Sequence, residues 1–400
     1  MKIVAIETIR HKHYPTCLWV EIHTDQGLVG LGETFRDAET IATYIHTRVA
    51  PRLIGSDPLQ IEHVNRRLLH GVLGFASSSV ETRAASAIDI ALWDVFGQST
   101  GLPIWQLLGG RCREAVRVYN TCAGYVYNTA GERWREIKIG SVVSTSMGPY
   151  EDQDAFVNRA DELAMSLLEE GFTGMKIWPF DIFAEPSGGT YIASSELRTA
   201  LEPFEKIRRA VGDKMDIMAE LHGLWNLPTS VRIAKALAPL EPFWMEDPIR
   251  MESASSLKSY RDQTGLPVCA SETLATRFGF RPYLEAESID IVMLDLSWCG
   301  GITEARKIAA LADAWQRPIT PHDCTGPVVL CASIHLALHA PNTLVQEVVR
   351  AYLSGWYRDI VTVVPPLKSG HITVPEGAGL GLRLLPDFKT RADVLVQRSD

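Results

Sequence analysis

Two textures of apolar and polar positions divide this 400-residue chain. Over residues 1–33 the runs KIVAIETI and LWVEIHT are rich in β-branched and aromatic side chains. The second meets an Asp25-Gln26-Gly27 turn, so a small sheet opens the chain. Residues 59–108 turn helical: in ETRAASAIDIALWDVFGQSTG, Ala84, Ile88, Ala91, Leu92 and Val95 fall near 3.6-residue spacing before Gly97 and Gly101. Strands followed by helices predict an α+β domain over residues 1–115.

From about residue 116 short apolar runs alternate with amphipathic helices, the pattern of βα units and a parallel sheet. The spacing predicts a helix over Asp154–Glu170, with Phe156, Ala160, Leu163, Ala164 and Leu167 on its inner face. Eight strands are predicted: VRVYNTC, GMKIWPF, MDIMAEL, PFWMEDP, PVCASET, DIVMLDL, RPITPHD and TLVQEVV. Polar residues close six of them. Glu220, Glu246, Glu272, Asp295, His322 and Glu347 are separated by 26, 26, 23, 27 and 25 residues, about one strand, one helix and two turns each. If the units close into a barrel, all six side chains emerge at its C-terminal rim, where barrel enzymes place their chemistry. Two longer intervals, Cys122 to Lys176 and Lys176 to Glu220, are polar or Gly-rich enough to be rim loops. The barrel is expected over residues 116–365, and the tail 366–400, with SGHITVPEGAGLGLRLL, is expected to return to the first domain.

Composition narrows the class. The chain is 46% hydrophobic and 22% charged, which excludes a disordered, collagenous or coiled-coil protein, and its net charge of −9 without a basic run argues against nucleic acid as partner. No stretch approaches the roughly 18 uninterrupted apolar residues of a membrane span, and the N-terminus lacks a signal-peptide core, so a cytoplasmic location and no membrane partner are expected. Seven cysteines, odd in number, scattered and without a CxxC pair, read as buried small side chains.

Glu220, Glu246 and Glu272 on consecutive strand ends make an all-oxygen site suited to Mg2+. With no basic residue beside them in sequence, the three carboxylates would otherwise repel one another. Asp295 and His322 on neighbouring strand ends can form an Asp-to-imidazole hydrogen bond, a general base with a fixed tautomer. His222, two residues after Glu220, should share its side of the strand and serve as an acid, a base or a supporting residue. Lys176 inside an apolar strand needs an anion, either the substrate or a nearby Glu. Trp178 can wall the pocket but takes no proton, and Glu347 either touches the reaction centre or braces the rim.

The order Lys176, Glu220, Glu246, Glu272, Asp295, His322, Glu347, with SAIDIALWDVFGQSTGLPIWQLLGG and the tail Gly377-Ala378-Gly379-Leu380-Gly381, resembles the mandelate racemase subgroup of the enolase superfamily over nearly the whole chain. The resemblance implies an α/β fold: a modified TIM barrel, (β/α)7β, with a capping domain built from the N-terminus and the C-terminal tail. It also implies abstraction of the proton next to a substrate carboxylate, through an ene-diolate stabilised by Mg2+. Carried over, Glu220, Glu246 and Glu272 are the metal ligands, His322 with Asp295 the base, and Glu347 the neighbour of the substrate carboxylate. Lys176 matches the first lysine of the family's Lys-x-Lys pair, but Trp178 replaces the second, the opposite-face base of racemases. That departure favours dehydration of a sugar acid to a 2-keto-3-deoxy acid, with His322 or His222 protonating the leaving hydroxyl. Glu220-x-His222 is similar to the Asp-x-His of the galactonate and mannonate dehydratases. The alternatives are a racemase, epimerase or cycloisomerase using Tyr125, Tyr127 or Tyr150 as second base, and a non-catalytic barrel. Specificity is expected in the loops His11–Cys17 and Gly71–Ser79, and a homo-oligomer is expected from the family habit.

Overall fold

The computed structural model describes residues 1–70, 78–125, 127–128 and 148–400. β1 (Ile3–His11), β2 (Cys17–Thr24) and β3 (Val29–Phe35) form an antiparallel meander. The helix Val80–Thr100 lies on it with Ala84, Ile88, Ala91, Leu92 and Val95 buried, and it stops at Gly101, whose φ of 71° no other residue adopts as cheaply. Helix and sheet touch backbone to backbone at Gly32, where a Cβ would lie 1.9 Å from the Ala87 carbonyl oxygen. Only glycine permits that approach.

The eight predicted strands follow, each shorter than its apolar run: β4 (Val116–Thr121), β5 (Gly174–Ile177), β6 (Asp216–Glu220), β7 (Trp244–Glu246), β8 (Val268–Ala270), β9 (Ile291–Leu294), β10 (Ile319–Pro321) and β11 (Gln346–Val348). Neighbours pair in parallel from β4 to β10, and β11 pairs with β4. A parallel bridge from Ile319 to Thr343, with Leu344 N–H donating to Ile319 O at 2.9 Å, joins β10 to the approach of β11 and closes the ring. Tyr119, Met218, Trp244, Cys269, Met293 and Val345 fill its interior, so the barrel is a packed core below the site.

The predicted helix Asp154–Glu170 is broken: Asp152–Asn158 and Ala160–Glu169 meet at Arg159, whose φ of −142° is not helical. The expected inner face is nevertheless buried throughout. β12 (Leu367–Lys368) and β13 (His371–Ile372) form a hairpin against the start of β4, and β14 (Val394–Ser399) pairs with β1. Between them Asp94, fully buried in the N-terminal helix, accepts from Leu31 N–H and Leu380 N–H, both at 2.9 Å. All seven cysteines are free thiols. Among the described residues no helix is long and apolar enough to cross a membrane.

Candidate active site

Glu220 and Glu246 end β6 and β7 and stand opposite each other in register. Glu272, Asp295 and His322 lie just past β8, β9 and β10, while Glu347 sits within β11 and Lys176 within β5. The ring therefore gathers all seven residues at one rim, all of them buried.

Lys176 changes the electrostatics expected from sequence. The glutamates do have a basic neighbour: the Lys176 ammonium contacts Glu246 and lies 2.8 Å from Glu347 Oε1 and 3.5 Å from Glu220 Oε2. A buried ammonium is costly without counter-charge. Burial pulls its pKa down, but Glu246 and Glu347 outweigh that and hold it well above the usual value. Glu220 is pushed up to about 8, chiefly by burial, and Glu246 is held well above the ordinary value by burial and by the charge of Glu220. Glu272 behaves differently. Burial would raise it, yet the nearby His322, Lys176 and His222 bring it below the ordinary value, and its Oε2 is buried without a hydrogen-bond partner.

Two histidine–aspartate pairs flank these carboxylates. His322 Nδ1 lies 2.6 Å from Asp295 Oδ2, and the other Asp295 oxygen accepts from the N–H of Ser297 at 2.6 Å and from its hydroxyl at 2.5 Å. Burial would lower His322, but Glu347 and Asp295 raise it to about 9. The second pair was not legible in the sequence: His222 Nδ1 lies 2.6 Å from Asp181 Oδ2. Asp181 opens a short 3-10 turn in the loop after β5, and its only sequence signal is an acidic residue at the start of a rim loop. His222 is not on the strand, as alternation would have it. β6 stops at Glu220, and His222 turns at φ 48° with its N–H donating to Glu220 Oε1 at 2.6 Å. Asp181 outweighs burial and raises the His222 pKa. Since β6 and β10 stand four strands apart in a ring of eight, the two imidazoles rise from opposite sides of the barrel.

Trp178 is buried and walls the His222 side, with ring centroids 5.0 Å from Phe156, 5.7 Å from Tyr127 and 5.9 Å from His222. A cavity of about 900 Å3 adjoins Trp178 and Asp181 but is bordered by none of the three glutamates. Of the three candidate tyrosines, Tyr125 lies 3.3 Å from Ser354 Oγ and Tyr150 packs under the Arg350 guanidinium at 4.4 Å. Tyr127 reaches Trp178, but burial holds its hydroxyl well above its usual pKa, a poor base near neutrality. A further buried carboxylate, Asp247, follows Glu246; it accepts from Ser271 Oγ at 2.6 Å and is raised by burial and by Glu272.

The N-terminal sheet braces this rim. Thr34 Oγ1 donates to Ser297 O at 2.9 Å, and Trp298 Nε1 donates to Phe35 O at 3.2 Å, both in the turn after Asp295. Glu33 Oε2 accepts from the N–H groups of Val328 and Val329 at 2.9 and 2.7 Å, at the start of the helix Pro327–His339 that follows the His322 loop. From the loop His11–Cys17, Cys17 Sγ reaches Thr325 O at 3.5 Å. Of the other expected specificity loop, residues 71–77 lie outside the described residues.

The donor set suits a hard divalent cation: three buried carboxylates, two of them with raised pKa values, and one orphaned oxygen on Glu272. Their oxygens do not all converge within 4.8 Å. Among the described residues only Glu7, Glu21 and His23 do so, and there Lys389 and Arg398 already supply the positive charge.

Comparison with known proteins agrees with this architecture. Residues 3–109 match the mandelate racemase / muconate lactonizing enzyme N-terminal domain, and residues 159–388 the enolase C-terminal domain-like family. The chain is 31% identical over 380 residues to D-xylonate dehydratase of Haloferax volcanii, covering 93% of this chain and 84% of that one. It is 30% identical over 350 residues to D-galactonate dehydratase of Pectobacterium atrosepticum, covering 87% and 81%. A solved structure of an enolase of the mandelate racemase subgroup from Agrobacterium tumefaciens superposes with TM-score 0.88 at 53% identity, covering 100% of this chain and 99% of that one. With both of its domain families matched and the barrel complete, the chain belongs to the enolase superfamily, in the mandelate racemase subgroup.

Proposed function

We propose that this protein is a Mg2+-dependent hydro-lyase that converts a sugar acid, an aldonate or aldarate, into a 2-keto-3-deoxy acid. The observation that carries the reading is the pair of histidine–aspartate couples on opposite sides of the barrel, with the carboxylates between them. Relatives that bear dehydratase names support it.

Glu220, Glu246 and Glu272 would hold Mg2+, which when bound supplies positive charge where the substrate carboxylate oxygens gain negative charge. Asp295 holds the His322 Nδ1–H, and a cation at the glutamates would offset the neighbouring carboxylate charge that raises His322 to about 9, so that Nε2 could accept the α-proton. Asp181, 2.6 Å from His222 Nδ1, favours the protonated imidazole, from which a proton can pass to the departing β-hydroxyl. Proton removal on one side and hydroxyl protonation on the other correspond to anti elimination. The enol product then ketonises. Lys176 and Glu347 border the place of the substrate carboxylate, and Trp178 shuts water from the His222 side.

The test follows α-hydrogen exchange and keto-acid formation in D2O with Mg2+ and a library of sugar acids. His322→Asn is expected to lose both, by about a thousandfold or more. His222→Asn should retain exchange and lose dehydration, while Trp178→Phe keeps some activity. Inversion at the α-carbon without keto acid would replace the dehydratase by an epimerase that uses His222 as the second base.

A further inference from the structure

Beyond the chemistry at the glutamates, two guanidinium groups of the N-terminal part of the chain, Arg83 and Arg36, form no ion pair among the described residues. Arg83, in the first turns of the helix Val80–Thr100, lies over the Trp298 ring at 5.4 Å. The same ring stacks on His322 at 5.7 Å and 25°. The guanidinium is therefore no more than two stacking distances from the imidazole, within reach of the far end of a five- or six-carbon chain held at the glutamates. Arg83 is half-buried, its Nε is buried without a hydrogen-bond partner, and it forms no ion pair among the described residues. An arginine cannot discharge by losing its proton, so a desolvated guanidinium calls for an anion.

The acids nearby do not serve. Asp295 is already bound to His322 and Ser297, and Asp37 makes no ion pair with Arg83 among the described residues. Burial lowers the Arg83 pKa, Asp37 and Asp295 oppose that, and a second cation, Arg36, adds to it. Arg36 follows β3, and its N–H donates to Thr16 O at 2.7 Å. It and Asp37 are consecutive non-glycine residues at positive φ, 66° and 51°. This uncommon backbone holds Arg36 at the rim, exposed, where its charge also reaches Tyr127 beside Trp178. Both arginines come from the N-terminal part of the chain, and Arg83 reaches the His322 side through the shared Trp298 ring.

We infer that Arg83 and Arg36 form a subsite for a second anionic group on the substrate, so that within the proposed reaction the preferred class is the dicarboxylate sugar acids (aldarates) and not the monocarboxylate aldonates. A planar, five-donor guanidinium fits a carboxylate through paired hydrogen bonds, and a ring stack leaves its edge free to make them. This inference rests on the dehydratase reading for its substrate family, but its binding can be measured apart from turnover.

The experiment pairs galactarate with galactonate and glucarate with gluconate, using the full chain with Mg2+, and reads calorimetric Kd as well as keto-acid formation. At least one aldarate is expected to bind tenfold or more tightly than its aldonate. Arg83→Met should weaken aldarate binding at least tenfold more than aldonate binding, Arg83→Lys should restore part of it, and Arg36→Met, at an exposed position, should act in the same direction. Equal affinity for the two classes, or equal losses for both in Arg83→Met and Arg36→Met, would overturn the subsite. Aldarate preference without keto acid from any pair would leave the subsite standing and remove the dehydration.

Discussion

Side-chain pairing divides labour among residues that look alike in composition. Each histidine at the rim has its own aspartate, at the same 2.6 Å separation, yet one couple is reinforced by Ser297 and the other stands beside Trp178. If Asp181 orients and charges His222, Asp181→Asn should lower dehydration about a hundredfold while α-hydrogen exchange through His322 persists. Parallel loss of both rates in a deuterium-exchange assay would assign Asp181 to the fold instead of to His222. Lys176 has the opposite lesson. Its apolar strand marks it as unusual, but whether it meets substrate or glutamate depends on three strands that the sequence separates widely.

At the level of elements, the site is stiffened from outside the barrel. β3 sends Glu33 to the first N–H groups of the helix Pro327–His339, where a helix start favours an anion. Burial nevertheless dominates and raises Glu33 from 4.5 to about 8. A group whose folded pKa is raised binds its proton more tightly when folded, so its contribution to stability is full below about pH 4.5 and is lost as pH climbs through about 8. The urea midpoint of the protein should therefore decline over that window, and Glu33→Gln, neutral throughout, should flatten the decline. An unchanged slope in the variant would show that Glu33 does not carry the effect. The broken helix at Arg159 is a second matter of elements. Hydrophobic period predicted its inner face correctly but not its interruption, because both segments bury the same face.

For the whole molecule, folding brings Glu220, Glu246 and Glu347 from three strands around the single ammonium of Lys176, where burial and neighbouring carboxylates raise Glu220 and Glu246. A divalent cation that binds only the assembled rim must stabilise the folded chain, by about 2.7 kcal/mol at a hundred times its Kd. Thermal unfolding with and without Mg2+ is expected to show this increment in the parent protein and to show it much reduced in Glu246→Gln. A midpoint indifferent to Mg2+ would count against the three glutamates as ligands. The tail belongs to this scale as well, since β14 completes the N-terminal sheet and the segment before it ties to Asp94.

The amino-acid order alone determined the eight barrel strands, the sheet and buried helix that precede them, and the ring of acidic and imidazole residues spaced 23 to 27 apart. These are local properties: hydrophobic period, β-branching, turn residues, and the repeat length of a strand and its helix. Tertiary structure alone decided that Lys176 faces glutamates, that His222 leaves its strand and finds Asp181, and that Arg83 shares Trp298 with His322. Each of these joins residues from different units, and only closure of the ring and docking of the N-terminal helix bring their charges within a few ångströms of one another. A partner chosen by such closure leaves no periodic trace in the chain.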